Sequence, residues 1–296
     1  MFDYFTYLLY KLFYIIMTHI PKSIMKHLVK VFANIGYAVD TKHKKIAYNN
    51  LDFAYGNSIS YSEKRTIVKE SYENLIQNIY DFILNQNLSL EDMDKKVSIK
   101  NGSFLTNLIK TNKKIIIVTA HYGSWELAIP YVSLKFRPIS VISKAIKNRY
   151  LNKVFVKVRH KHNLVMFEKH GAAKKIVKAL KDNRMVAMAI DQNIGKKDAT
   201  IVKFFGKEVT QTDAPIRLAS KLGAKVVPML FTRDGFDKHQ AIFFEPLDVK
   251  DNCTKDDIVN YSQQISHIFE NQIRKNPRDW FWQHRRFKEF HKDIYK

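Results

Sequence analysis

Two periodicities alternate along the chain. Short, uninterrupted apolar runs are separated by longer segments in which apolar residues return every three or four positions. Ile115–Thr119, Ile139–Ile142, Met185–Ile190, Val226–Phe231 and Ala241–Phe244 are runs of the first kind and predict buried strands. Residues 60–86 carry Ile67, Tyr72, Leu75, Ile76, Ile79, Phe82 and Ile83 at helical spacing. Gly171–Lys181 is amphipathic, and a further helix starts near Trp125. Asp213–Leu222 predicts a helix with Thr212 or Asp213 as its cap and Gly223 as its stop. Asp256–Lys275 predicts a long one, ended by Pro277. Strands that lack side-chain alternation and are separated by helices predict an α/β fold with a mostly parallel central sheet flanked by helices.

The first 22 residues depart from this alternation. Between Asp3 and Lys22 the only formal charge is Lys11, and Phe2, Tyr4, Phe5, Tyr7, Tyr10, Phe13 and Tyr14 make the segment strongly aromatic. It lacks the basic start and small-residue cleavage site of a signal peptide. Beyond Pro21, Lys22, Lys26 and Lys30 form one helical stripe. The reading is a membrane element over 1–35, spanning or lying in the interface, ahead of one α/β domain over 36–296. The alternative is a buried N-terminal helix with a solvated lysine face.

Composition narrows the partners. Of 296 residues, 50 are Lys or Arg and 28 Asp or Glu, a net charge of +22, and 46% are hydrophobic. Disorder is excluded, and a polyanionic neighbour is implied: nucleic acid, an anionic membrane surface, or an acidic or phosphorylated partner. The single cysteine, Cys253, forms no internal disulfide and cannot build a cysteine-rich zinc site; it reads as a loop residue.

The chemistry gathers at strand ends. His121 follows the run Ile115–Thr119, and Glu126 falls in the first turn of the next helix. In open α/β sheets, sites form at the carboxyl ends of strands, and an imidazole held by a carboxylate is a general base suited to neutral pH. The alternative is a capping His beside a solvated Glu. Ser124 lacks the G-x-S-x-G setting of a nucleophile, and no H-E-x-x-H, P-loop or G-x-G-x-x-G occurs. His160 and His162, set among Arg159 and Lys161, read as a basic exposed segment rather than a metal site. Asp191 and Gln192 leave the strand Met185–Ile190 and could line the same mouth, or merely cap it. Near the C-terminus, Trp280, Phe281 and Trp282 precede His284, Arg285, Arg286 and Lys288. That run suits phosphate binding at an interface, stacking on single-stranded nucleic acid, or packing on the core with solvated arginines.

Taken in order, these residues resemble the late lipid A acyltransferases, the lauroyl or myristoyl transferases of lipopolysaccharide synthesis. The resemblance rests on His121-Tyr-Gly-Ser-Trp-Glu126, Asp191-Gln192, Lys203-Phe-Phe-Gly206 and Trp280-Phe-Trp-Gln-His284-Arg-Arg-Phe-Lys288, and covers nearly the whole chain. Two positions depart from the family pattern. Ser124 stands where Asn is common, and Lys169 or His170 stands where a basic residue is often Arg. The resemblance implies acyl transfer from acyl-acyl carrier protein to a hydroxyl of a 3-hydroxyacyl chain on a phosphorylated, Kdo-bearing lipid A precursor. This would occur at the cytoplasmic face of a bacterial inner membrane, with no metal and no bound cofactor. It also implies His121 as general base, oriented by Glu126. Backbone N–H groups near Gly123–Trp125, or Lys169, would face the oxyanion. Lys169, Asp191, Gln192, Arg285 and Arg286 would bind substrate. Rival readings are a membrane acyltransferase acting on a glycerolipid or mannoside, a basic nucleic-acid-binding protein, and a purely structural membrane protein.

Overall fold

A computed structural model describes residues 2–142, 145–167 and 171–296. Four helices come first: α1 (Phe2–His19), α2 (Lys22–Val39), α3 (Thr41–Tyr55) and α4 (Tyr61–Leu84). Next are α5 (Leu90–Asp94), β1 (Val97–Lys100), α6 (Ser103–Lys110), β2 (Ile115–Thr119), α7 (Trp125–Lys135), β3 (Ile139–Ile142), α8 (Arg149–Lys161), β4 (Leu164–Phe167), α9 (Ala172–Lys181) and β5 (Met185–Ala189). The chain continues through β6 (Ala199–Phe204), β7 (Lys207–Thr212), α10 (Ala214–Leu222), β8 (Lys225–Arg233), β9 (His239–Phe243) and α11 (Lys255–Lys275).

The main sheet runs β1-β9-β8-β2-β5-β3-β4. Its pairs are parallel except β8 with β9. The expected parallel α/β sheet is therefore present, with one hairpin turning its edge. The two central strands are apolar along their length because both sheet faces are covered. Ile116, Val118, Val186 and Met188 join the core beneath α9, α10 and α11, while Ile115, Ile117 and Ala187 join the core beneath α7. A separate hairpin, β6–β7, packs on α11 and did not register in the apolar pattern.

Each predicted helix forms. The α4 N-terminus closes with a reciprocal Ser60–Glu63 capping box, and α11 with Thr254–Asp257. Asp213 caps α10 without a side-chain bond, and Gly223 ends it in the left-handed region.

The N-terminal segment is helical, but among the described residues no helix is long and apolar enough to cross a membrane. The physical reason is local: α1 breaks its apolar run with Lys11 and four tyrosines. Tyr10 and Tyr14 turn back to bond Gln86 and Asn87, and Met17 packs with Met25, Val29, Tyr80 and Ile83. Leu8, Leu9, Leu12, Ile15 and Ile16 remain exposed on its other side. The boundary drawn at residue 35 falls inside α2, which lays Met25, Val29 and Ala33 against α4.

Candidate active site

Neighbouring strands β2 and β5 run parallel with Thr119 opposite Ala189. His121 and Asp191 each lie two residues beyond those partners, so the register alone sets them side by side. The Asp191 carboxylate accepts from His121 Nδ1 at 2.9 Å and from the His121 backbone N–H at 3.0 Å. The Trp280 indole adds a third donor, at 3.0 Å. A carboxylate only accepts, so Nδ1 carries the proton and Nε2 is left with a free lone pair. Burial works to raise the Asp191 pKa, but the His121 charge and these three hydrogen bonds hold it down to about 2. Burial likewise works to lower the His121 pKa; the Asp191 charge, its hydrogen bond and the charge of Glu126 overcome this and raise it.

The loop between His121 and Glu126 is pinned by hydrogen bonds at Gly123, Ser124 and Glu126. Gly123 has φ +56°, and an added Cβ would lie 1.8 Å from the Phe231 carbonyl oxygen. The Gly123 N–H donates to the Asp279 carbonyl at 2.8 Å and the Ser124 N–H to the Phe231 carbonyl at 3.1 Å. Ser124 Oγ bonds His239 Nδ1 at 2.7 Å, so it does not cap α7. An amide on another helix compensates: Asn78 donates to the Gly123 carbonyl at 2.7 Å and accepts the Glu126 N–H at 3.4 Å.

Glu126 lies in the same cavity as His121, yet it does not bond the imidazole. Its carboxylate takes the Arg159 guanidinium at 2.8 Å. The cavity, about 170 Å³, is lined by His121, Trp125, Glu126 and Arg159 and by Ile129, Val141, Met166 and Ala187. Arg159 Nε is buried and, among the described residues, has no hydrogen-bond partner.

The contacts differ from those expected. The carboxylate bonded to His121 Nδ1 is that of Asp191, while Glu126 bonds Arg159. The Gly123 and Ser124 N–H groups are already bonded to carbonyls and cannot face an oxyanion. Arg286 is not a surface phosphate ligand: it is fully buried and donates to the Thr210 and Gln192 carbonyls, at 2.5 and 3.3 Å. Gln192 contributes that backbone carbonyl. Arg285 lies over the Tyr295 ring, half-buried. Lys169, with His170, lies outside the described residues.

Trp280 and Trp282 are buried and in edge contact, so they pack on the core and cannot stack on bases or face a bilayer. Phe281 does reach the site, beside His121 and Trp125. His160 is exposed as expected. His162 is buried, and burial together with Arg159 and Lys161 lowers its pKa to about 4.

Arg159 was missed because it is one cation among many on a basic helix. Its only signal is that it falls on α8's half-buried side. Among the described residues, Asp81, Asp237 and His239 are close enough to hold a cation. Arg233 already meets Asp81 at 3.0 Å, while Lys22 and Lys96 meet Asp237 at 2.5 and 2.7 Å. Three cations balance two carboxylates, so the trio has the charge of a structural cluster rather than of a metal centre.

Replacing Arg286 with Ala is expected to destabilise the fold by about 3 kcal/mol, through a cavity and two orphaned carbonyls. Urea denaturation measures this; unchanged stability with weakened substrate binding would restore Arg286 as a ligand.

Comparison with known proteins agrees with the motif order. A family model described as bacterial lipid A biosynthesis acyltransferase matches residues 1–289. The lipid A biosynthesis palmitoleoyltransferase of Escherichia coli (strain K12) is 23% identical over 248 residues, 83% of this chain and 79% of that protein. A lipid A biosynthesis acyltransferase of Haemophilus influenzae is 25% identical over 279 residues, 91% and 86% of the two chains. The phosphatidylinositol mannoside acyltransferase of Mycolicibacterium smegmatis is 21% identical over 194 residues, 64% and 61%.

Proposed function

The chain belongs to the bacterial lipid A biosynthesis acyltransferase family and is an O-acyltransferase of lipid A synthesis. From that premise we propose that it moves a fatty acyl chain from acyl-acyl carrier protein to the hydroxyl of a 3-hydroxyacyl chain on a Kdo-bearing lipid A precursor. The carrying observation is the His121–Asp191 pair at the strand ends, beside a cavity lined by Glu126 and Arg159 and by apolar side chains.

His121 Nε2 takes the acceptor's hydroxyl proton as its oxygen attacks the thioester carbonyl. Asp191 fixes the tautomer and stabilises the imidazolium. The tetrahedral oxyanion needs donors other than the occupied Gly123 and Ser124 amides, and Arg159, anchored by Glu126, supplies a fixed cation. Collapse of the intermediate breaks the C–S bond, and the departing thiolate recovers the proton from His121. The ester C–O bond is then complete, and no redox partner enters. The apolar lining at Ile129, Val141 and Met166 suits the alkyl chain.

A net charge of +22 suits an acidic carrier protein and a phosphorylated acceptor. The exposed apolar face of α1 supports seating on the inner membrane, with the active site on the cytoplasmic side. A second reading, a mannoside or glycerolipid acceptor, draws on the similarity to the mycobacterial-type enzyme.

The test supplies purified chain with carrier-protein thioesters of graded length. Kdo-bearing lipid A precursor and phosphatidylinositol mannoside are offered together, and products are weighed by mass spectrometry. One acyl mass added to the lipid A precursor supports the proposal. Gain only on the mannoside transfers it to the second reading.

Arg159→Lys is expected to lower kcat at least about tenfold, because a point charge cannot hold Glu126 and face the oxyanion as a planar fork does. Unchanged kcat would remove Arg159 from the reaction.

A further inference from the structure

Helix α8 is unlike the other helices covering the sheet. None of its 13 residues is buried, although it carries Leu151, Val154, Phe155 and Val158. By contrast α9, equally basic, buries Ala172, Ile176, Ala179 and Leu180. The α8 apolar side is only half covered, and exposed Ile142 and Ile146 extend it. Its other side shows Arg149, Lys153, Lys157 and Lys161, spaced four apart and all exposed. Among the described residues no carboxylate pairs with any of the four. Arg149 lies on the Tyr150 ring, and Lys161 reaches only the Asn87 amide. The sequence contains no acidic residue from Leu127 to Phe167.

Two neighbours say what this helix faces. Its first turn meets α1: Tyr150 packs on Tyr4 and Tyr7, and Asn148 donates to the Asp3 carbonyl at 3.0 Å. The row of exposed apolar side chains on α1 therefore continues into α8. On the other flank, a groove of about 300 Å³ runs along α8 and α4, lined by Leu75, Ile79, Phe82, Ile146 and Phe155 and by Trp125 and Glu126. A helix with a cationic stripe and a half-exposed apolar side, continuous with a second apolar helix, matches the pattern of elements that lie in the plane of a membrane interface.

We propose that α8 is a second interfacial element, seated beside α1 on an anionic lipid surface, so that the α4–α8 groove opens from the bilayer toward Glu126. The basic stripe meets phosphate headgroups, and Leu151, Val154 and Ile146 enter the acyl boundary. An acceptor lipid then reaches the site without leaving the membrane. The inference adds to the bilayer reading of α1, and it is independent of which acyl group is transferred.

The experiment uses the full chain and two kinds of vesicle, phosphatidylcholine alone and phosphatidylcholine with phosphatidylglycerol. In a Cys253→Ser background, an environment-sensitive fluorophore is placed by Lys157→Cys on α8, by Leu9→Cys on α1 and by Lys255→Cys on α11. Anionic vesicles carrying a lipid-borne quencher should quench the labels on α8 and α1 and spare that on α11. The double variant Lys153→Glu/Lys157→Glu should keep its melting temperature and lose at least about tenfold in affinity for anionic vesicles, less so in high salt. Quenching on α1 alone would overturn the role of α8 and leave the attachment through α1 intact. So would parental vesicle affinity in the double variant. If instead that variant weakens only the capture of an acidic acyl carrier protein, the stripe is a protein dock and the proposal fails.

Discussion

His121→Ala should leave a folded protein whose acyl transfer is slower by at least about 100-fold, the low end of what a positioned general base contributes. The expectation rests on one geometric fact: Asp191 occupies Nδ1 at 2.9 Å, so Nε2 is the nitrogen left to take a proton. Asp191→Asn should slow the reaction by a different route from Ala at His121. An Asn amide can present either its oxygen or its NH₂ group to Nδ1, so the tautomer is no longer fixed and the imidazolium loses its counter-charge. Rates should fall by about 100-fold as well, with the imidazole still present. Circular dichroism checks the fold in each variant. Near-parental rates for His121→Ala would remove the base from the mechanism. Glu126 is expected to matter through Arg159, so Glu126→Gln and Arg159→Lys should not be additive, since they share one contact.

Gly123→Ala is the second large effect. A methyl group at this position would meet the Phe231 carbonyl oxygen at 1.8 Å, in a backbone conformation with φ +56°. Neither atom can yield alone. The same carbonyl accepts the Ser124 N–H, and the Gly123 N–H is tied to Asp279. The loop must shift as a unit, carrying His121 and Glu126 with it. The expected loss is about 3 kcal/mol or more in stability, above the usual strain for a residue forced into an unfavourable φ. A displacement of about 1 Å at the site would lower turnover by about 100-fold. Thermal unfolding and initial rates measure the two effects separately. Parental values in both would mean that the loop has slack that the packing does not show.

Much of the fold was legible because buried parallel strands leave an unbroken apolar signature. β2, β3, β5 and β8 and the helices α4, α9, α10 and α11 lie within a few residues of the predicted ranges. The β6–β7 hairpin escaped because Lys207–Thr212 offers only Val209 as an apolar anchor; its pairing with β6 and packing on α11 make it a strand. The spanning alternative for α1 failed through its tyrosines, which lower its hydropathy and bind Gln86 and Asn87.

The site was legible residue by residue but not as pairs. His121 and Asp191 each announced themselves at a strand end. Their contact depends on β5 lying beside β2, a strand order that linear spacing does not reveal. The nearer candidate in sequence, Glu126, went to an arginine 33 residues away. The C-terminal arginines misled for a related reason. Arg286 stands in a polar stretch, yet β7 and the exit from β5 bring carbonyls around it and bury it.

The most direct test of the His121–Asp191 pair is kcat/KM for acyl transfer across pH, in the parent and in Asp191→Asn. The base must be neutral, and the Asp191 charge and hydrogen bond raise the pKa of His121 despite its burial. Activity should therefore fall as pH drops through a midpoint above about 6.5, the ordinary imidazole value. Removing the carboxylate charge should move that acidic limb to lower pH and lower the plateau. A limb at the same pH in both proteins, with equal plateaus, would contradict the account.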